Sequence, residues 1–160
     1  MTVVPLANDY ALGGPQTVVM DGETFFDGDM FAVTLTNISA GPITVSTFSP
    51  VVFRILAVSV NGLPADLSVQ TVFRCVNPFR RGVAALTTLP PGGQASFQAE
   101  FSDSTFPDSA PYLGGREGTG KAVTGSYQVT VGYQYSGPDG GLPNVYRGVV
   151  VAAPVAFTVH

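Results

Sequence analysis

The sequence predicts an all-β fold: a single antiparallel β-sandwich, immunoglobulin-like or jelly-roll, of about ten short strands with long loops. Three observations predict it. Apolar and polar residues alternate with a period of two over many short stretches, as strands with one face on a core do. Turn clusters separate those stretches, and 19 glycines and 13 prolines in 160 residues are more than a helical protein tolerates. No stretch of useful length has helical periodicity. The whole chain, 1–160, reads as one domain.

Residues 1–15 have no obvious place in a minimal sandwich and read as an N-terminal arm. Short strands are predicted at 16–20 and 23–26. Phe31, Val33 and Leu35 then alternate with Ala32, Thr34 and Thr36. A strand follows at 43–47. The stretch 51–60 is different: Phe53 and Ile55 lie on one parity, and Leu56, Val58 and Val60 on the other. Either a bulge flips the phase near Ile55 or both faces are covered. Asn61-Gly62 closes it with a strong hairpin signal, and Pro64 suits an edge or a strand start. Strands at 67–74 and 82–88 come next. Ala95, Phe97, Ala99 and Phe101 alternate with Gln94, Ser96, Gln98 and Glu100. Residues 102–124 form a long loop rich in Gly, Pro, Ser and Asp, far beyond the usual connection length. Tyr127, Val129, Val131, Tyr133 and Tyr135 define the next strand, a Gly-Pro-Asp-Gly-Gly loop spans 136–144, and strands at 144–151 and 155–160 complete the chain.

Composition narrows the function. Apolar residues are 45% of the chain and the net charge is −4, which excludes a disordered segment. Seven basic residues do not make a phosphate-neutralising surface, so no nucleic-acid partner is expected. No apolar run has the length of a membrane span, which excludes a membrane-spanning helix. Charged residues are only 11%, against roughly 25% in ordinary soluble domains, so the surface itself is short of charge. The start of the chain lacks the pattern of a signal peptide, and Cys75 is the only cysteine, which points to synthesis in a reducing cytoplasm.

Candidate chemistry is sparse. The only histidine is His160, so a Ser-His-Asp or Cys-His arrangement would have to use the last residue as its base. Cys75 ends an apolar strand and reads as a small strand residue, although Arg74, Arg80 and Arg81 stand near it in sequence. Residues 115–121 match the first seven positions of a phosphate-binding loop. Position eight is Ala122, which has no hydroxyl for magnesium, and a strand follows where a helix is needed. Asp21, Glu23, Asp27 and Asp29 could ligate a hard cation, but Asp21-Gly22 and Asp27-Gly28 are also ordinary turn pairs around a short strand. Asn37-Ile38-Ser39 matches a glycosylation sequon, with no secretion signal to make use of it. No cofactor and no metal are predicted.

Phe31–Asn37 followed by Pro42-Ile43-Thr44-Val45, then Leu89-Pro90-Pro91-Gly92-Gly93, then Gly125–Val129 resembles the layout of bacterial immunoglobulin-like sandwich domains. In order these segments are similar to small intracellular proteinase inhibitors. The resemblance covers residues 31–135, has neither the tryptophan nor the cysteine pair of antibody domains, and implies fold class more than function.

Two functions fit these readings. The first is a non-enzymatic structural or assembly protein, a bacteriophage capsid or head-decoration subunit whose partners are copies of itself or other virion proteins. Arg74, Phe79, Arg80, Arg81, Tyr112 and Arg116 form its expected contact patch, since arginine beside aromatics is enriched at interfaces. Such a patch could meet the acidic 21–29 segment of a neighbouring copy. The alternative is a monomeric binding module, such as an intracellular peptidase inhibitor presenting loop 102–124.

Overall fold

A computed structural model of the chain describes residues 1–20, 22–64, 72–73, 85–101, 116–117 and 122–160. It is all-β. In chain order the elements are β1 (Thr2–Pro5), β2 (Asp9–Tyr10), β3 (Thr17–Met20), β4 (Glu23–Phe26), β5 (Asp29–Thr36) and β6 (Ile43–Ser46). A single helical turn, α1 (Ser49–Val52), leads into β7 (Phe53–Val60) and β8 (Leu63–Pro64). Then come β9 (Val72–Phe73), β10 (Leu86–Leu89), β11 (Gln94–Glu100), β12 (Arg116–Glu117), β13 (Gly125–Tyr133), β14 (Val150–Val151) and β15 (Val155–Val159). About ten strands were predicted. Among the described residues there are 15 strand segments in five sheets, several of them only two residues long.

Two sheets carry most of the structure. The first is three-stranded and antiparallel, in the order β1-β5-β11. The second has the order β2-β15-β13-β7-β8, with β14 also paired to β13. The period-two alternation decides how they meet. Phe31 and Val33 of β5 and Ala99 of β11 share one buried cluster with Phe53, Ile55 and Val58 of β7, Val129 and Val131 of β13, and Val155, Phe157 and Val159 of β15. The Phe31 ring lies 5.5 Å from that of Phe53 and 6.2 Å from that of Phe157, so the two inner faces touch through aromatic side chains. A second cluster, built on Leu35, Val45, Val52, Leu89, Tyr133 and Tyr135, involves the β6–β10 pair and α1. Met1 and Phe97 pack against both clusters.

Residues 1–15 are not a free arm. β1 pairs antiparallel with β5, and after a break at Leu6–Asn8 the chain joins the other sheet as β2, parallel to β15. Tyr10 locks the crossover: its hydroxyl donates to the Met30 carbonyl at 3.1 Å and accepts from the Ala7 amide at 3.1 Å. The first strand thus switches sheets and closes one side of the core. Its signal was hidden because four residues give only two turns of alternation.

At 51–60 the bulge alternative applies. Thr130 pairs with Ala57 and Val131 with Ile55, leaving Leu56 as the extra residue. Phe53, Ile55 and Val58 therefore all point inward, and Leu56, expected on the same parity as Val58, is exposed. Asn61-Gly62 makes the predicted two-residue turn. Both residues have positive φ, 52° and 78°, as a turn of type I′ demands, and Val60 pairs with Leu63 across it. The Asn61 side chain also accepts a hydrogen bond from the Ser126 amide at 2.9 Å, tying the turn to β13.

The strand predicted at 144–151 is mostly absent. Val145 makes one parallel bridge to Thr44, and only Val150–Val151 is paired further on. Between them the Tyr146 ring packs towards Tyr133 at 6.4 Å, and Arg147 turns back over the Tyr135 ring at 5.1 Å and donates to the Gly137 carbonyl. These side-chain contacts bend the chain out of a strand.

Candidate functional surfaces

The expected contact patch falls largely outside the described residues: Arg74, Phe79, Arg80, Arg81 and Tyr112 lie there, as do Cys75, Asp21 and most of loop 102–124. Arg116 begins β12, paired with Phe73 of β9. The acidic segment folds as part of the β3–β4 hairpin and the turn after it. Gly22 and Gly28 sit at φ 79° and 85°, and the Asp27 amide donates to the Gln16 carbonyl. Among the described residues no three of His, Cys, Asp and Glu gather as a metal site.

Asp29 and Glu100 stand opposite each other where β11 bulges against β5. Partial burial, and then the neighbouring Glu100 charge, push the Asp29 carboxyl above its ordinary range. An acid whose folded-state pKa is raised destabilises the fold once it ionises. The penalty is absent below the unfolded value near 3.8 and grows as pH rises through it. Asp29→Asn should therefore raise the melting temperature at pH 7 by about 1 °C, since the site is largely solvated, with the gain gone at pH 3. Thermal scans of both proteins at the two pH values check this.

The described surface is organised by what its sheet faces lack. On the outer face of the three-stranded sheet, the residues opposite the buried set are Thr2 and Val4, Ala32, Thr34 and Thr36, and Gln94, Ser96 and Gln98. Thr34 and Ser96 hydroxyls meet at 3.0 Å, and the Gln94 amide donates to the Thr36 hydroxyl at 3.3 Å. Charge enters only at one end, with Asp29 and Glu100. The outer face of the six-stranded sheet presents Ser126, Gln128 and Thr130 of β13, Ala156 and Thr158 of β15, and Ala57 and Ser59 of β7. Its charges are again at the ends: Arg54 on one, and on the other His160, whose Nδ1 lies 2.9 Å from the Asp9 carboxylate.

The only histidine thus sits exposed at a sheet end, beside one carboxylate. The phenols of Tyr10, Tyr127, Tyr133 and Tyr135 are hydrogen-bonded within the fold. Tyr127 donates to the Val123 carbonyl at 2.9 Å and accepts from the Val123 amide at 3.0 Å, four residues upstream. Tyr133 accepts from the Ser46 amide at 3.0 Å and Tyr135 donates to the Pro138 carbonyl at 2.6 Å. Burial raises the pKa of Tyr10, Tyr127, Tyr133 and Tyr135 above the ordinary 10.0, in each case the largest cause. The fold resists their ionisation, whereas the unfolded chain does not. Stability should hold up to pH 10 and fall as pH rises beyond it, which denaturant titrations across pH 8–11 would reveal.

The loop predicted at 136–144 follows β13, and sequence reasoning missed only the contacts that shape it. Asp139 anchors it by accepting from the Gly141 amide at 3.0 Å, and Gly140, Gly141 and Asn144 take positive φ. Arginine and tyrosine twelve residues apart, Tyr135 and Arg147, gave no local signal. Compared with known proteins, the chain matches no family, no curated protein and no solved structure. Among the described residues no helix is long and apolar enough to cross a membrane.

Proposed function

We propose that the protein is a non-enzymatic structural subunit, a building block of a larger assembly of the bacteriophage capsid or head-decoration kind, folded as an immunoglobulin-like sandwich. The observation that carries the functional reading is the pair of sheet faces whose charges lie only at their ends. Burying an unpaired charge is costly, whereas hydroxyls, amides and methyl groups can be covered with little loss. Soluble monomers rely on surface charge to stay apart, and these faces do not supply it.

The fold reading rests on topology. The orders β1-β5-β11 and β15-β13-β7-β8 correspond to the A-B-E and G-F-C-C′ orders of immunoglobulin-like sandwiches. Tyr127, near the start of the F-like strand and bonded back to Val123, occupies the position of the tyrosine corner typical of that fold. Two residues later, where antibody domains place a cysteine, stands the fully buried Val129. These features favour the immunoglobulin-like arrangement over a jelly roll.

Mass in solution tests the function. Light scattering should give a species above the 16.6 kDa chain mass at micromolar concentration, and added sodium chloride should not dissociate it, because uncharged faces are not screened. Dissociation by salt would transfer the contact to the arginine and acidic segments. A monomer at every concentration would overturn the assembly reading and favour the lone binding module.

A further inference from the structure

We propose that Asn61 is a self-modification site, an asparagine that loses its side-chain amide spontaneously and does so only when the β7–β8 hairpin opens. It is the only asparagine followed by glycine in the chain, and it stands exposed at the hairpin tip. The chemistry is intramolecular. The main-chain nitrogen of Gly62 attacks Cγ of Asn61, so an N–Cγ bond forms while the Cγ–Nδ2 bond breaks. Nδ2 leaves as ammonia with the proton that the Gly62 nitrogen gives up. Water then adds to either carbonyl of the five-membered succinimide and opens it, to aspartate or to isoaspartate. Glycine as the attacking residue has no side chain to crowd its nitrogen.

The folded hairpin blocks the first step. Asn61 and Gly62 take φ 52° and 78°, and in such a type I′ turn ψ of the first residue is about 30°. That rotation turns the Gly62 nitrogen to the side of Cα opposite Cβ, away from the carbon it must reach. The side chain is held as well. Its Oδ1 accepts from the Ser126 amide at 2.9 Å, and the Asn61 amide donates to the Ser126 carbonyl at 2.8 Å, so one residue of β13 grips both its main chain and its side chain. Gly125 makes room for this grip. It takes φ 151°, and a Cβ there would lie 2.8 Å from Asn61 Nδ2 and 2.9 Å from Oδ1. Bringing Cγ to the Gly62 nitrogen requires breaking the Ser126 bond and undoing the turn, and with it the Val60–Leu63 pairing. Local opening of this kind belongs to sheet edges, and among the described residues β8 is the edge strand of its sheet. The two products differ in consequence. Aspartate keeps an oxygen for the Ser126 amide and restores the turn, whereas isoaspartate adds a carbon to the main chain, so a two-residue turn no longer fits. Each opening that ends in isoaspartate is therefore irreversible.

The experiment incubates the full-length chain at mildly alkaline pH and follows residue 61 by peptide mass spectrometry with an isoaspartate assay. Three samples are compared: the native wild type, the wild type unfolded in urea, and Gly125→Ala, whose Cβ displaces the side chain from Ser126. The expected result is deamidation at least about tenfold slower in the native chain than in the unfolded one, with Gly125→Ala in between. Circular dichroism verifies that Gly125→Ala is folded. Should it fail to fold, wild type in urea below the unfolding transition takes its place, and its rate should rise with urea while the fold persists. Equal rates in native and unfolded chains overturn the gating by the hairpin. So does a folded Gly125→Ala that reacts as slowly as wild type, or a rate that stays flat with urea. An unfolded chain that keeps its amide overturns the site itself. The readout is a mass at one residue, so none of these results bears on the assembly reading.

Discussion

Phe157→Ala is expected to destabilise the fold by about 3–5 kcal/mol, lowering the melting temperature by about 10–15 °C. Phe157 is where the molecule's aromatic contacts converge. Its ring stacks on Tyr127 at 5.0 Å, meets Tyr10 edge-on at 5.4 Å, and lies 6.1 and 6.2 Å from Phe26 and Phe31. Those partners come from four different strands, so the cavity left by alanine would open between the two sheets and beside the β3–β4 hairpin. A site walled by rings collapses poorly, which places the cost at the upper end of the range for large-to-small changes. Urea unfolding of the variant measures it. A loss below about 1 kcal/mol would mean that the sheets do not pack through this ring.

The alternation around Phe157 was legible because each strand there has one face on the core and one in solvent, the case in which period two is cleanest. The same holds for β5, β11 and β13. Elsewhere the reasons for failure differ. β1 and β2 are too short to establish a period, and their pairing depends on Tyr10 finding Met30, twenty residues away. The bulge at Leu56 appeared as a phase change, but which residue leaves the core follows from the register with β13, a contact that no local pattern contains. The segment 144–151 has the residues of a strand, and the contacts of Tyr146 and Arg147 override that propensity. For the candidate site, the uncharged faces were readable from Thr, Ser, Gln and Ala at the outward positions. That Leu56 lies outward over Gly132, beside Arg54, was not, because it follows from the bulge and from a glycine on the neighbouring strand.

Asn37→Ala is expected to cost about 2–4 kcal/mol, although Asn37 lies in a turn, where most substitutions are mild. The side chain is 1% exposed and fully engaged. Its Nδ2 donates to the carbonyls of Gly41 and Leu89, both at 2.9 Å, and its Oδ1 accepts from the amide of Ser39 at 2.9 Å and the hydroxyl of Ser39 at 2.7 Å. The main chain adds two bonds to the facing turn: the Asn37 amide donates to the Gly93 carbonyl, and the Gly92 amide donates to the Asn37 carbonyl. One residue therefore ties the turn after β5 to the turn before β11. The same geometry answers the sequon, since an amide nitrogen buried between two carbonyls cannot accept a glycan in the folded chain. Alanine would leave the Leu89 carbonyl buried without its donor, and such groups are expensive. Asn37→Asp should do comparable harm at neutral pH, because a carboxylate cannot donate and would face two carbonyl oxygens. Lowering the pH should restore part of that loss, since the protonated acid regains one donor, whereas the alanine variant should show no such recovery. Unfolding curves of both variants at pH 4 and pH 7 separate a hydrogen-bonding role for Asn37 from simple space filling: equal loss in the aspartate variant at the two pH values would overturn the first.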